Sequence, residues 1–193
     1  MGTTQPIKNR EQLIQFRNYY LTENYKPRNY ALIVLGLNSA LRIGDILSLR
    51  WRDVYEKNQY RSHIIIKEQK TGKERYVALN KNAIAALELY RKSIELFYDS
   101  QYIFVSQKSP FTRISRAQAF RIVKKAAIAC QLDDMNHISC HSLRKTFGYF
   151  AWKMGTPPAL LMSIYNHSSY QITKRYLCID QSEQDYVYQN LSL

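Results

Sequence analysis

Residues 136–179 read NHISCHSLRKTFGYFAWKMGTPPALLMSIYNHSSYQITKRYLCI, and not one of them is Asp or Glu. Arg144, Lys145, Lys153, Lys174 and Arg175 fall in this stretch, together with His137, His141 and His167, three of the chain's four histidines. A run of this kind repels itself unless something negative meets it. Its local pattern is helical, with helices expected over 141–153, 158–164 and 169–177 and a further one over 181–190. His141-Ser142-Leu143-Arg144 puts an imidazole and a guanidinium three residues apart on one helical face. Further on, Asn166-His167-Ser168-Ser169 precedes Lys174-Arg175-Tyr176, so a histidine leads a tyrosine by nine positions.

Outward from this stretch the periodicity stays mostly helical. In 10–21, Leu13, Phe16 and Tyr20 share a face, and Pro27, suited to a first helical turn, opens an apolar run from Tyr30 to Ala40 that reads as a buried helix. Two β-branched or aromatic runs, 62–68 and 74–79, flank Gln69-Lys70-Thr71-Gly72-Lys73 and predict a hairpin with lysines at its tip. Asn80 is a plausible N-cap for a helix with Ala83, Ile84, Leu87 and Tyr90 on one side. A short strand is expected over 102–105. A helix capped near Ser115 then turns Phe120, Val123 and Ala127 towards a core and leaves Arg116, Lys124 and Lys125 elsewhere on its surface. The fold class is therefore mainly α with a small antiparallel β-sheet.

The chain has 193 residues, which suits one well-buried core, and residues 1–193 are expected to form a single domain with a tail helix at about 181–193. It has 28 Lys and Arg against 15 Asp and Glu, a formal charge of +13. A solvated basic surface explains such a charge as well as a polyanion does, and its concentration in 136–179 favours the polyanion. Cys130, Cys140 and Cys178 are odd in number and far apart, which suits neither a disulfide framework nor a zinc ligand set and points to a reducing compartment. No stretch is long and apolar enough for a membrane span, and 1–12 lacks the apolar centre of a signal peptide, so a cytoplasmic protein is expected.

One more segment carries chemistry. Ala40-Leu41-Arg42-Ile43-Gly44-Asp45-Ile46-Leu47 ends one helix and opens another with an arginine at the junction. Taken alone, Arg42 reads equally as a surface residue paired with Asp45. In combination, Arg42 in Ala-Leu-Arg, a Lys-Thr-Gly-Lys hairpin, His-x-x-Arg, Asn-His-Ser-Ser and then tyrosine resemble the tyrosine recombinase (phage integrase) family over nearly the whole chain.

The resemblance implies the tyrosine recombinase catalytic-domain fold and a catalytic set of Arg42, Lys70, His141, Arg144, His167 and Tyr176, with Asp45 supporting Arg42. Lys73 competes with Lys70 for the lysine's place. Tyr176 stands at the family's distance from the histidine, whereas Tyr170 is too close and Tyr186 and Tyr188 are too far along. The implied activity is cleavage and rejoining of DNA strands through a 3′-phosphotyrosyl intermediate, leading to integration, excision or inversion. Two arginines suit the anionic oxygens of a phosphodiester because they hold their charge and strengthen their contacts as charge grows in the transition state. His141 is the candidate base for the tyrosine, His167 a third donor, and the lysine the acid for the leaving 5′-oxygen. The phosphotyrosine conserves the bond energy, so neither a metal nor a nucleotide cofactor is expected.

Implied partners are double-stranded DNA, further copies of the chain, as in a tetramer on DNA, and accessory DNA-bending proteins. Arg116, Gln118, Lys124 and Lys145 are candidates for DNA contact. Three departures stand out: Lys145 where the family often has histidine, and Tyr165-Asn166 where it usually has Leu-Gly. Asn tolerates the left-handed backbone that glycine would adopt there. The family's separate N-terminal clamp domain is not recognisable, which predicts weak, salt-sensitive DNA binding. The apolar residues of the tail suit packing on the chain's own body or on a neighbour. Relaxation of supercoils in the manner of a type IB topoisomerase, or DNA binding without catalysis on the same fold, are the competing readings.

Overall fold

A computed structural model of the chain describes residues 4–67, 72, 74–107 and 109–191, so both Lys70 and Lys73 lie outside the described residues. Helix α1 (Arg10–Asn18) begins where the Asn9 side chain accepts hydrogen bonds from the backbone N–H groups of Glu11 and Gln12. Helix α2 (Pro27–Ser39) has proline in its first turn, and residues Ala31 to Leu35 are buried almost completely. Two short helices follow, α3 (Ile43–Ser48) and α4 (Trp51–Val54). Strands β1 (Tyr55–Glu56) and β2 (Gln59–Tyr60) form a small hairpin, and β3 (His63–Lys67) pairs with β4 (Glu74–Ala78) in the register His63↔Ala78 to Lys67↔Glu74.

Helix α5 (Lys81–Lys92) is capped by Asn80, whose side chain accepts from the N–H of Ala83. Strand β5 (Val105–Ser106) pairs with β6 (Ser109–Arg113), and α6 (Arg116–Ala129) starts at Ser115, which accepts from the N–H of Gln118. After a single 3-10 turn (Met135–His137) come α7 (Cys140–Lys153), α8 (Pro158–Tyr165), α9 (Tyr170–Leu177) and α10 (Gln181–Asn190). The described residues are thus mainly α, with three separate two-stranded antiparallel sheets.

Two expectations are corrected. The strand expected over 102–105 is mostly not paired: Tyr102 forms an isolated bridge with Arg50, and strand pairing begins at Val105. The backbone there serves two neighbours in turn, since Ile103 N–H donates to Leu49 and Ile114 N–H donates to Phe104. Phe120, expected in the core, is 43% exposed. The buried stripe of α6 is Ala119, Ile122, Val123, Ala126 and Ala127, a regular helical spacing beside which Phe120 falls on the outer edge.

The core forms around α2, which packs against α5 on one side and α7 on the other. The approach to α7 is close, for a Cβ at Gly36 would stand 2.5 Å from Leu143 Cδ1. That contact seats the turn of α7 bearing Arg144 directly beside the end of α2. Among the described residues no helix is long and apolar enough to cross a membrane.

Candidate active site

Helix ends position the expected catalytic side chains. Helix α2 stops at Ala40, whose φ of 52° is left-handed, and Arg42 then occupies the N-cap position of α3. Arg42 accepts backbone hydrogen bonds from Asp45 and Ile46, and Asp45 is buried in the first turn of α3. Helix α7 opens with a capping box in which Ser139 accepts from the N–H of His141 while the Ser139 N–H donates to Ser142 Oγ. His141 is therefore held in the first turn, with its ring exposed. Helix α8 ends at Tyr165, and Asn166 adopts the left-handed conformation anticipated for it, with φ 52° and ψ 47°. Its neighbour His167 follows directly, and Cys178, also left-handed, closes α9 two residues after Tyr176.

These ends converge. His141 Nδ1 lies 3.0 Å from the hydroxyl oxygen of Tyr176, although 35 residues separate them. Arg144 is 1% exposed, and its guanidinium donates to the carbonyl oxygens of Ala40 and Tyr165, so the end of α2 and the end of α8 are tied to one cation. The same guanidinium carbon stands 5.8 Å from the centre of the Tyr176 ring. His167 Nδ1 is 3.0 Å from Thr173 Oγ1, and the His167 and Tyr176 rings are 5.2 Å apart.

The electrostatics follow from burial among cations. Burial is the largest influence raising the pKa of Tyr176 above its ordinary value, and the charge and hydrogen bond of Arg144 and the charge of Arg42 oppose it. Burial also lowers the pKa of Arg144, a direction that the charges of Arg42 and Arg75 reinforce and that of Tyr176 resists. Arg42, Arg144 and Tyr176 thus feel one another at close range. Five of the six expected catalytic residues are described, and all five gather here; the sixth, Lys70, lies outside the described residues, as does its competitor Lys73.

The surface candidates are placed differently. Lys124 donates to the carbonyl of Met135, and Gln118 accepts from Arg121, while Arg116 is exposed. Lys145 is turned inward: its ammonium donates to the Thr4 carbonyl at 2.6 Å, lies 3.2 Å from Cys178 Sγ and stands 5.4 Å from the Tyr176 ring centre.

Three residues at the site were not anticipated. Tyr165 is fully buried against Arg144, His167 and Tyr176. Thr173, also fully buried, holds His167, and Arg75 on β4 donates to the Ile164 carbonyl two residues before Asn166. The signal for Tyr165 was its departure from the usual Leu of the family box.

A family model described as the phage integrase family matches residues 7–183, nearly the whole of the chain. The chain belongs to this family. It is 40% identical over 183 residues to the probable integrase/recombinase YoeC of Bacillus subtilis (strain 168), covering 94% of this chain and 93% of that protein. Among solved structures, the XerA recombinase superposes with a TM-score of 0.79 at 20% identity, over 99% of this chain and 68% of that one. A XerH site-specific recombinase in a post-cleavage complex with its palindromic difH substrate superposes with a TM-score of 0.76 at 21% identity. That match covers 98% of this chain and 54% of XerH, so this member of the phage integrase family spans about half of that recombinase. These likenesses establish the tyrosine recombinase catalytic-domain fold.

Proposed function

We propose that this phage integrase family member cuts and rejoins strands of double-stranded DNA at a specific site through a covalent bond between Tyr176 and a 3′-phosphate. The observation that carries the proposal is the 3.0 Å contact between His141 Nδ1 and the Tyr176 hydroxyl, set beside the buried Arg144. A tyrosine raised above its ordinary pKa attacks poorly by itself, and an acceptor within hydrogen-bond reach can take its proton as the new bond forms. Arg42 and Arg144 then stabilise the non-bridging oxygens, and His167 donates from the start of the loop after α8. Lys70 protonates the departing 5′-oxygen, with Lys73 the alternative.

Because the phosphotyrosine keeps the bond energy, a 5′-hydroxyl from another strand can displace Tyr176 and reseal the backbone. Strand exchange requires two duplexes held together, so a tetramer of this chain on DNA is the expected working form, in the cytoplasm or on the nucleoid. DNA bound to XerH and the chain's charge of +13 both support the substrate class.

The test uses nicked duplexes with a randomised central sequence, in which loss of the short cleaved product traps the adduct. Wild type is expected to give a protein–DNA adduct that survives denaturation and is enriched for one sequence, and Tyr176→Phe to give none. No adduct from wild type with any sequence would overturn the proposal, and relaxation of plasmids of arbitrary sequence would favour a topoisomerase.

A further inference from the structure

We infer that Tyr165 is a positioning residue for strand cleavage, its ring and backbone setting Arg144, His167 and Tyr176 in register with one another. The inference rests on the function proposed above. Its ring meets three of the expected catalytic residues. Its ring lies almost parallel to that of His167, at 16° with centroids 5.0 Å apart. It tilts against the Tyr176 ring at 5.0 Å, and the Arg144 guanidinium carbon is 4.6 Å from its centre. Its carbonyl accepts from Arg144 Nη2 at 2.7 Å, and its hydroxyl donates to the Arg144 carbonyl at 2.8 Å.

Space filling alone does not account for these contacts. A buried phenol needs a partner for its hydroxyl and room for its para position, and α7 supplies both. The partner is the Arg144 carbonyl. The room is at Gly148, where a Cβ would stand 1.8 Å from the Tyr165 hydroxyl oxygen. Burial also pushes the Tyr165 hydroxyl well above its ordinary ionisation range, which keeps it a fixed donor and not a second nucleophile beside Tyr176.

The physical benefit concerns placement. On the proposed function Arg144 and His167 act on the same phosphate, so each must be held in a fixed place beside the other. An aromatic face attracts guanidinium planes and stacks with flat rings, so the Tyr165 ring holds both Arg144 and His167. The stack also fixes the plane of the imidazole, whose Nδ1 is held by Thr173, so both its tilt and its rotation are defined.

The experiment compares single-turnover cleavage of a natural phosphodiester with cleavage of a duplex carrying an uncharged methylphosphonate at the scissile position. Groups that act on the anionic oxygens matter less on the neutral substrate. Tyr165→Leu is expected to slow the phosphodiester by about 10- to 100-fold, the scale of a small misplacement of reacting groups, and to slow the methylphosphonate far less. Tyr165→Phe, which keeps the ring, is expected to restore most of the rate. Should Tyr165→Leu not fold, Tyr165→Leu with Gly148→Ala refills the vacated space and serves in its place. An unchanged phosphodiester rate, or equal slowing on both substrates, would overturn the inference. Failure of wild type to cleave at all would instead count against the proposed function.

Discussion

The Nδ1 atom of His141 and the hydroxyl oxygen of Tyr176 are 3.0 Å apart and meet with their ring planes at 86°. On the proposed function this contact joins the nucleophile to its proton acceptor. Replacing His141 with Ala is expected to slow covalent adduct formation by about 10²-fold or more, the usual contribution of a positioned base. Rapid-quench measurement on the nicked duplex checks this, and an unchanged rate would remove His141 from the base role.

Arg144 also has a structural duty beside the catalytic one proposed for it, because its guanidinium ties the carbonyls of Ala40 and Tyr165 together inside the protein. A lysine has no planar fork with which to span them. Arg144→Lys is therefore expected to lower stability by about 2–4 kcal/mol as buried carbonyls lose their donors, besides suppressing cleavage. Arg42→Lys, at a half-buried N-cap, should suppress cleavage with little change in the urea midpoint.

At Asn166 the backbone requires a residue that accepts φ of 52°. Asn166→Gly is expected to keep the fold and the activity. Asn166→Val, β-branched in the left-handed region, should cost about 1–3 kcal/mol and displace His167, which a denaturation curve paired with an adduct assay would reveal.

High pH should weaken the fold. Burial raises Tyr20 and Tyr90 from 10.0 to about 12. Both are protonated in the folded and unfolded chain below pH 10, so their contribution is complete there, and it is lost as pH rises from 10 through 12. The urea midpoint is expected to fall across that window, and Tyr90→Phe should flatten part of the fall.

The tail is fastened by Lys8, whose ammonium lies 2.6 Å from Asp180 and 3.3 Å from the nearly buried carboxylate of Glu183. Tyr186, Val187, Tyr188 and Leu191 beyond it are exposed. Lys8→Met is expected to speed amide hydrogen exchange over 181–190 with little change elsewhere. Unaltered exchange would show that other contacts hold the tail.

Most helices of this fold were legible because their ends are marked locally: Pro27 in a first turn, Asn80 and Ser115 as caps, Asn166 as a left-handed stop. The two-residue strands β1, β2 and β5 are too short to show a period. Phe120 was misplaced because an apolar side chain at the border of a stripe does not announce its side. The convergence of His141, Arg144, His167 and Tyr176 was legible only through family resemblance, since no local pattern brings residues 35 apart to 3.0 Å. Lys145 was read as a surface cation because its partner Thr4 lies 141 residues away. Tyr165 was visible as an unusual residue, but the role inferred for it depends on a gap left by Gly148 on another helix.

Left-handed residues at Ala40, Asn166 and Cys178 stand within two positions of Arg42, His167 and Tyr176. Three of the five described candidates are thus hung beside the punctuation marks that stop a helix, while His141 and Arg144 ride on α7 itself. A shift of any one of these stops by a single residue would turn the side chain beside it away from the others.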